Sequence, residues 1–244
     1  MKKNIIVVLL ACVTLSQAMA QNPNQMPRKA QSINLSERWG NYERRQYFGV
    51  RFGMNVSQVM FSGTTVDNSS RTGINGGIVA GFMLAKTTPI FFETGILYQG
   101  RGAYINSGKI DKVTIREHFF EFPILFKYKI QTNAEHLKIQ PFFGGFIAVG
   151  LGGDTRFYQA DITKYPVDAL GRYKRGTFSN GGLRAFDTGL KMGCGMSYRN
   201  LYIELSYTIG LMNAAQDEFE DFDYDKFDNT IHNGSFAATL GLDF

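Results

Sequence analysis

The feature that most constrains the fold is the segment of residues 113–130, because from residue 120 onward every second side chain is apolar or aromatic. One set of alternate positions carries no charge: Phe120, Phe122, Ile124, Phe126, Tyr128 and Ile130. The other set includes Glu121, Lys127 and Lys129. Successive side chains of a β-strand leave opposite faces, so the pattern predicts a strand with one unbroken apolar face. A soluble protein would bury that face in a core, whereas a membrane barrel turns it toward lipid and its charges toward the lumen.

The amino terminus predicts an export signal over residues 1–20. A positively charged start precedes an apolar run over residues 5–13, and a small-x-small cleavage pattern ends at Ala20. The run is too short for a membrane-spanning helix, which needs about twenty residues. A lipoprotein signal is the alternative, because Leu9-Leu10-Ala11-Cys12 resembles a lipobox. Residues 21–46 are polar and basic, and we predict that they form a periplasmic tail.

The composition of residues 21–244, the chain that remains after removal of the predicted signal, excludes several classes of protein. Cys194 is its only cysteine, so no internal disulfide can form. Removal of Lys2 and Lys3 leaves 26 − 2 = 24 basic residues against 21 acidic ones, and a net charge of 24 − 21 = +3 is too mild to indicate nucleic-acid binding. No apolar run reaches about eighteen residues, the length of a transmembrane helix. An exported chain with 12 Tyr, 21 Phe and 27 Gly favours an outer-membrane barrel.

Alternating segments recur throughout residues 47–244, which we predict to be the barrel domain. The predicted strands are residues 47–56, 73–84, 89–99, 113–130, 137–151, 184–198, 201–211 and 233–244. Their connections alternate between long loops and short turns, starting with a long loop over residues 57–72. The other predicted long loops are residues 100–112, 152–183 and 212–232. The loop over residues 152–183 is predicted to contain a hairpin that extends the barrel beyond the membrane. Bacterial barrels place short turns in the periplasm, so both termini are predicted to be periplasmic.

The predicted fold class is therefore all-β, an eight-stranded antiparallel up-and-down transmembrane β-barrel with long extracellular loops, located in the outer membrane. The soluble rival, a lipocalin-like barrel, needs an apolar lumen, whereas here the charges fall on the opposite face from the apolar stripe. Four aromatic residues fall where a periplasmic interface belt is expected: Tyr47, Tyr128, Tyr198 and Phe244. The last strand ends on an aromatic residue, a pattern typical of the signal that barrel assembly machinery reads. Its predicted residues are Phe236, Leu240, Leu242 and Phe244.

Charged residues on the inward face are the main candidate site. The predicted lumen network comprises Arg51, Glu93, Glu121, Lys127, Lys191 and Glu204, and further inward candidates are Lys129, Asp187 and Asp243. An eight-stranded barrel is only wide enough for side chains to fill its interior. Mixed signs therefore predict an ion-pair network that plugs the lumen, and a narrow ion path is the alternative.

The segment 217–229 is acidic, with seven acids against one lysine. Asp221, Asp223 and Asp225 have the alternate spacing of a calcium loop, because hard cations prefer carboxylate oxygens. An EF-hand is excluded, because Lys226 stands where that loop needs glycine and His232 where it needs glutamate. The alternatives are a solvated loop and a looser divalent-cation or partner site, and neither a resident metal nor a cofactor is predicted.

Catalysis has little support in the sequence. The hydrolase and metalloprotease motifs G-x-S-x-G and H-E-x-x-H do not occur. His232 and Ser235 could form the base and nucleophile of a lipid-modifying enzyme. A separation of three residues along one strand places them on opposite faces, unless the strand begins after His232. His118 falls on the lipid-facing parity near the outer interface. We therefore expect a protein that is not an enzyme.

The motif FFEFPILFKYK over residues 119–129 resembles a strand motif of the PorT-like outer-membrane β-barrel family of Bacteroidetes. Three further segments are similar to that family: IQPFFGG at 139–145, DTGLKMGCG at 187–195 and LYIELSYTIGL at 201–211. The resemblance implies a structural or assembly component of the outer membrane, associated with type IX protein secretion. Expected partners are outer-membrane lipid and lipopolysaccharide, the barrel assembly machinery and secretion-system proteins. A small passive channel is the alternative function, followed by a lipid-modifying enzyme.

Overall fold

The computed structural model describes residues 45–61, 67–85, 88–107, 110–132, 136–158, 172–178, 183–214 and 231–244. The predicted signal peptide and nearly all of the predicted tail lie outside these residues, as does the acidic segment 217–229. Within the described ranges, no helix has both the length and the apolar character to cross a membrane.

The described chain forms ten strands. They are β1 (Gln46–Phe61), β2 (Asp67–Met83), β3 (Ile90–Ser107), β4 (Ile110–Tyr128), β5 (Ile130–Gln131), β6 (Leu137–Tyr158), β7 (Arg172–Gly176), β8 (Phe186–Tyr198), β9 (Leu201–Gly210) and β10 (Ile231–Asp243). Eight of the strands in these described ranges, β1–β4, β6 and β8–β10, pair antiparallel with their neighbours in chain order. β1 pairs with β10 and β4 pairs with β6, so the sheet closes into a barrel. The predicted fold class is confirmed.

Closure leaves the backbone hydrogen bonds of these strands paired on both sides, which a structure surrounded by lipid requires. β5 continues the line of β4 beside β6. β7 pairs only with the far end of β6, beyond the ring, which is the hairpin predicted within residues 152–183.

Burial follows the alternation of the sequence. On β4, Phe126 is 51% exposed, while its neighbour Lys127 is 0% exposed. The same alternation holds on β1, where Phe48, Val50 and Phe52 face outward. The outer surface is thus apolar and the interior polar, the arrangement expected for a barrel in lipid and the reverse of a lipocalin-like barrel.

Two predicted loops are wrong over most of their length, because the strands continue into them. β1 and β2 extend into residues 57–72, and β3 and β4 extend into residues 100–112. β6 likewise runs past residue 151 to Tyr158. The sequences of these segments are rich in polar residues and glycine, such as DNSSRT at 67–72 and GRGAYINS at 100–107, so the alternating apolar pattern that marks a lipid-facing strand is interrupted. Inter-strand pairing, such as Tyr104 with Thr114, continues there nevertheless.

Candidate functional site: the charged barrel interior

Glycines opposite aromatic rings make room for the large side chains inside the barrel. Gly81 lies directly across from Tyr47, and a Cβ atom at Gly81 would come within 2.0 Å of the Tyr47 ring. The barrel repeats this arrangement in register at two further pairs, Gly193 with Phe142 and Gly189 with Phe146. At these positions the interior is packed by an aromatic ring on one strand that fills the space left by a glycine on the next strand.

The charged side chains of the interior form two groups. The group nearer the chain termini, here the termini-side cluster, contains Tyr47, Arg51, Glu93, Lys127, Tyr202, Glu204 and Asp243. The group nearer the long connections, here the loop-side cluster, contains Arg101, Glu121, Asp187 and Lys191. Strands β1, β3, β4, β8, β9 and β10 supply these residues, so each cluster joins strands that are distant in sequence.

Lys127 is the centre of the termini-side cluster. Its Nζ lies 2.8 Å from Glu93 Oε1 and 3.3 Å from Glu204 Oε2. The same ammonium donates a 2.6 Å hydrogen bond to the Tyr202 hydroxyl, which in turn donates to Glu204 Oε2 at 2.6 Å. Lys127 therefore has two carboxylates and a hydroxyl as partners, the compensation that a buried ammonium requires.

Arg51 extends this cluster toward the carboxy terminus. Its Nη1 lies 2.6 Å from Asp243 Oδ1 and its Nη2 lies 3.5 Å from Glu93 Oε2. The guanidinium carbon also lies 4.1 Å from the centroid of the Tyr202 ring, a cation–π contact. Arg51 thus links the first strand to the last one and to β9 through side chains.

Tyr47 corrects one prediction. It is buried inside the barrel, where its hydroxyl donates a 2.6 Å hydrogen bond to Glu93 Oε2. The predicted place in the interface belt is wrong, because Tyr47 shares the inward parity of Gly49 and Arg51. The other three predicted belt residues, Tyr128, Tyr198 and Phe244, are exposed on the outer surface.

Glu121 is the centre of the loop-side cluster. Its Oε2 accepts from Arg101 Nη2 at 2.5 Å, and its Oε1 accepts from Lys191 Nζ at 3.0 Å. Arg101 also reaches Asp187 Oδ2 at 3.0 Å. Both carboxylate oxygens of Glu121 are therefore paired, although the side chain is 0% exposed.

Arg101 and Glu117 are buried interior charges that the sequence reasoning missed. Arg101 lies in the predicted loop over residues 100–112, yet it continues the inward parity of Glu93 and Gln99 on β3. Glu117 lies across from Arg101 on β4, two positions before Phe119 on the same parity. Extending the alternation through the polar strand ends would have identified both residues.

Apolar side chains close the space beside the charges. Phe178, in the turn after β7, packs with its ring centroid 5.4 Å from that of Phe119, against Phe146 and Ala148. The void among Arg51, Glu93, Lys191, Glu204 and neighbouring side chains is about 10 Å³, room for about one water molecule. The structure thus brings all six predicted lumen residues into two paired clusters, and the part of the interior lined by the described residues is closely packed.

The remaining candidate residues do not assemble a reactive site. Ser235 is buried on the inner face of β10, and His232 lies on the opposite face, so the two cannot act as nucleophile and base. His118 faces outward and shares a 2.6 Å hydrogen bond between Nδ1 and the Tyr98 hydroxyl. Among the described residues there is no group of three His, Cys, Asp or Glu that could hold a metal ion. Asp221, Asp223 and Asp225 lie outside those residues.

A closed barrel with an apolar exterior and a filled, ion-paired interior defines a transmembrane β-barrel of the outer-membrane type. The comparison with protein families agrees, because residues 19–216 match the family described as outer membrane protein beta-barrel domain. The chain belongs to that family, and family and fold together indicate the outer membrane as its location.

Three solved structures are similar to this chain at low sequence identity. Neisserial surface protein A shares 11% identity, with 81% of this chain and 97% of that chain covered and a TM-score of 0.42. OprG from Pseudomonas aeruginosa shares 10% identity, with coverages of 82% and 97% and a TM-score of 0.42. Ail, the attachment invasion locus protein of Yersinia pestis, shares 12% identity, with coverages of 82% and 100% and a TM-score of 0.37. No curated protein sequence matches the chain.

Proposed function

We propose that this protein is a non-enzymatic outer-membrane β-barrel that serves as a structural or assembly component. The observation that carries the proposal is the filled interior, in which Lys127 and Glu121 are each held by two partners of opposite charge. An ion crossing the lumen would have to displace these side chains from their partners, which is strongly unfavourable because it leaves buried charges uncompensated. The barrel is therefore suited to a structural or assembly role, in which its outer surface contacts partners, rather than to conduction of ions.

Conductance of the purified protein tests this proposal. We expect planar lipid bilayers that contain the folded protein to show no stable open level, with insertion verified by the gel shift between unheated and heated samples. A matched Lys127→Ala, Lys191→Ala variant, which removes two central cations, should leak if the plug is the barrier. Steady, voltage-independent conductance by the wild-type protein would instead establish the passive channel.

The C-terminal strand supports the proposed recognition by the barrel assembly machinery. Phe236, Leu240 and Leu242 on β10, and Phe244 directly after it, are all exposed on the outer surface. A partner could therefore bind these side chains before the barrel closes. Deletion of Phe244 should lower the amount of folded barrel in membranes, while Ala238→Val on the same face should leave it unchanged. Equal amounts of folded barrel for the Phe244 deletion and the wild type would contradict this role.

The proposed association with type IX secretion rests on the resemblance of residues 119–129 and the three further segments. Deletion in the native host, followed by mass spectrometry of culture supernatant and cell surface, tests it. We expect a class of exported proteins to disappear outside and accumulate in the periplasm, with recovery when the chain is restored. An unchanged secretome would remove the secretion assignment and leave a structural barrel.

The non-enzymatic part of the proposal has its own test. Lipid A from cells that overproduce the protein should have the same mass spectrum as lipid A from cells that carry an empty vector. A new acylation or deacylation product would establish the lipid-modifying alternative, and Ser235→Ala and His232→Ala variants would then show whether those two residues are involved.

A further inference from the structure

The sheet formed by β4, β6 and β7 beyond the lipid-facing part of the barrel has a basic outer surface. A register shift between β4 and β6 at His118 and Phe119 changes which residues of β6 face outward. Beyond it, Thr155 and Phe157 are buried, so Asp154, Arg156 and Tyr158 face outward. Among the described side chains of the three strands, the outward basic ones, here the basic face, are Arg116, Arg156, Arg172 and Lys174.

Like charges are close together on the basic face. Arg156 lies directly across from Lys174, and Arg172 is two residues from Lys174 on the same side of β7. Directly opposed like charges destabilise a strand pair. Asp154 is the only acid among the described outward positions of this sheet; its Oδ2 lies 2.5 Å from Arg156 Nε. The facing cations Arg156 and Lys174 therefore repel each other, and an anionic partner between them would relieve that repulsion.

The inner side of the same sheet is packed, so the basic face is held in place. Phe157 is 3% exposed, and its ring centroid lies 5.7 Å from that of Tyr173. Thr177, the residue that follows β7, donates a 2.9 Å hydrogen bond from its hydroxyl to the carbonyl oxygen of Arg116, and that hydroxyl lies 3.1 Å from the Thr155 hydroxyl. The cations thus project from an anchored surface, which reduces the entropic cost of binding a ligand.

The position of the basic face indicates the kind of partner. On β6, Arg156 follows the exposed apolar residue Leu151 by five positions, so the cations continue the lipid-facing wall rather than line the barrel mouth. A partner at this place contacts the outside of the wall, just beyond the hydrocarbon. Anionic head groups occupy that level of a membrane, and Arg and Lys bind their phosphates.

We propose that the basic face binds the phosphate groups of an anionic glycolipid of the outer leaflet. This inference rests on the proposed function to the extent that the barrel lies in the outer membrane with β7 on the outer side. Arg156 and Lys174 supply the central pair of cations, and Arg116 and Arg172 flank them on neighbouring strands.

Titration of the full-length, folded protein in detergent with diphosphoryl lipid A tests the proposal, with bound lipid counted by native mass spectrometry. We expect the Arg156→Gln, Lys174→Gln variant to bind diphosphoryl lipid A roughly tenfold to thirtyfold more weakly than the wild type. Each Lys or Arg near an anionic lipid surface strengthens binding by about threefold to fivefold, and the variant lacks two of them. The matched control, Arg45→Gln, Arg199→Gln, removes the same charge at the other end of the barrel and should bind as the wild type does. Arg156→Lys, Lys174→Arg should retain binding.

A comparison of lipid A with and without its phosphate groups tests whether those groups are what the basic face binds. Dephosphorylated lipid A should bind the wild-type protein no better than diphosphoryl lipid A binds the Arg156→Gln, Lys174→Gln variant. Added salt should weaken the binding of diphosphoryl lipid A to the wild-type protein and leave the other two affinities unchanged. Equal affinity of the wild-type protein for both lipids would overturn the proposal. So would equal affinity of the Arg156→Gln, Lys174→Gln variant and the Arg45→Gln, Arg199→Gln control for diphosphoryl lipid A. Because the titration uses purified protein, a conducting barrel would overturn the proposed function, and an unchanged secretome would remove its association with secretion, without altering this result.

Discussion

At the scale of single residues, the interior depends on a few buried charges whose partners lie on other strands. Glu121 is the clearest, since both of its oxygens are paired, with Arg101 and with Lys191. Its place on the inward face follows from the alternation of β4. Its two partners do not follow from any local pattern, because Lys191 is 70 residues away in sequence.

Glu121→Gln is predicted to destabilise the barrel. The substitution keeps the size of the side chain but leaves Arg101 and Lys191 with less compensating charge in a buried site, which costs roughly 3–5 kcal/mol. Urea unfolding in lipid vesicles, followed by circular dichroism and gel shift, measures the change. Asp154→Asn is the matched control, because it also removes one acid from an ion pair but lies in the more exposed sheet beyond the barrel. Equal unfolding midpoints for both variants would contradict a stabilising role of the buried cluster.

At the scale of strands, packing depends on which residues meet across a strand pair. Gly81 leaves room for the ring of Tyr47, which lies directly across from it on β1 and fills the space where a side chain at position 81 would be. Nothing in the immediate sequence around Gly81 indicates Tyr47, since the pairing of β1 with β2 sets the match. The strand ends likewise depend on pairing, as the continuation of β3 and β4 into a predicted loop shows.

Gly81→Ala is predicted to lower stability by roughly 1–3 kcal/mol, because the added methyl group would force the Tyr47 ring away from Glu93. Gly100→Ala is the control, since the atoms nearest to its Cβ lie at 3.4 Å or more. Urea unfolding in vesicles compares the two variants. If Gly100→Ala were as destabilising as Gly81→Ala, the cause would be the loss of glycine itself rather than the fit against Tyr47.

At the scale of the whole molecule, the two ends of the barrel differ. One end carries both the two-residue turn at Arg199 and Asn200 and the carboxy terminus, joined by a hydrogen bond from the Asn200 side chain to the Asp243 carbonyl oxygen. The other end carries the extended strands and β7. Bacterial barrels place short turns in the periplasm, so β7 should lie outside the cell.

Labelling of engineered cysteines checks this orientation, in a Cys194→Ser background. We expect a membrane-impermeant maleimide to label Lys174→Cys on intact cells and Asn200→Cys only after the outer membrane is permeabilised. Both residues are exposed in the structure, so differences in labelling would reflect the side of the membrane rather than burial. The reverse pattern would overturn the orientation and the proposed lipid contact of the basic face together.

The sequence by itself determined the class of fold and the face on which each charge lies, because alternation is a local property of a strand and the lipid demands an unbroken apolar face. It placed Arg51, Glu93, Glu121, Lys127, Lys191 and Glu204 inside. Only the tertiary structure decided how these charges pair, since Arg51 meets Asp243 across 192 positions of sequence through the closure of the barrel. The same closure decided which rings face glycines, how far the strands extend, and that Arg156 and Lys174 share one surface, because strand register depends on contacts between segments that no local pattern encodes.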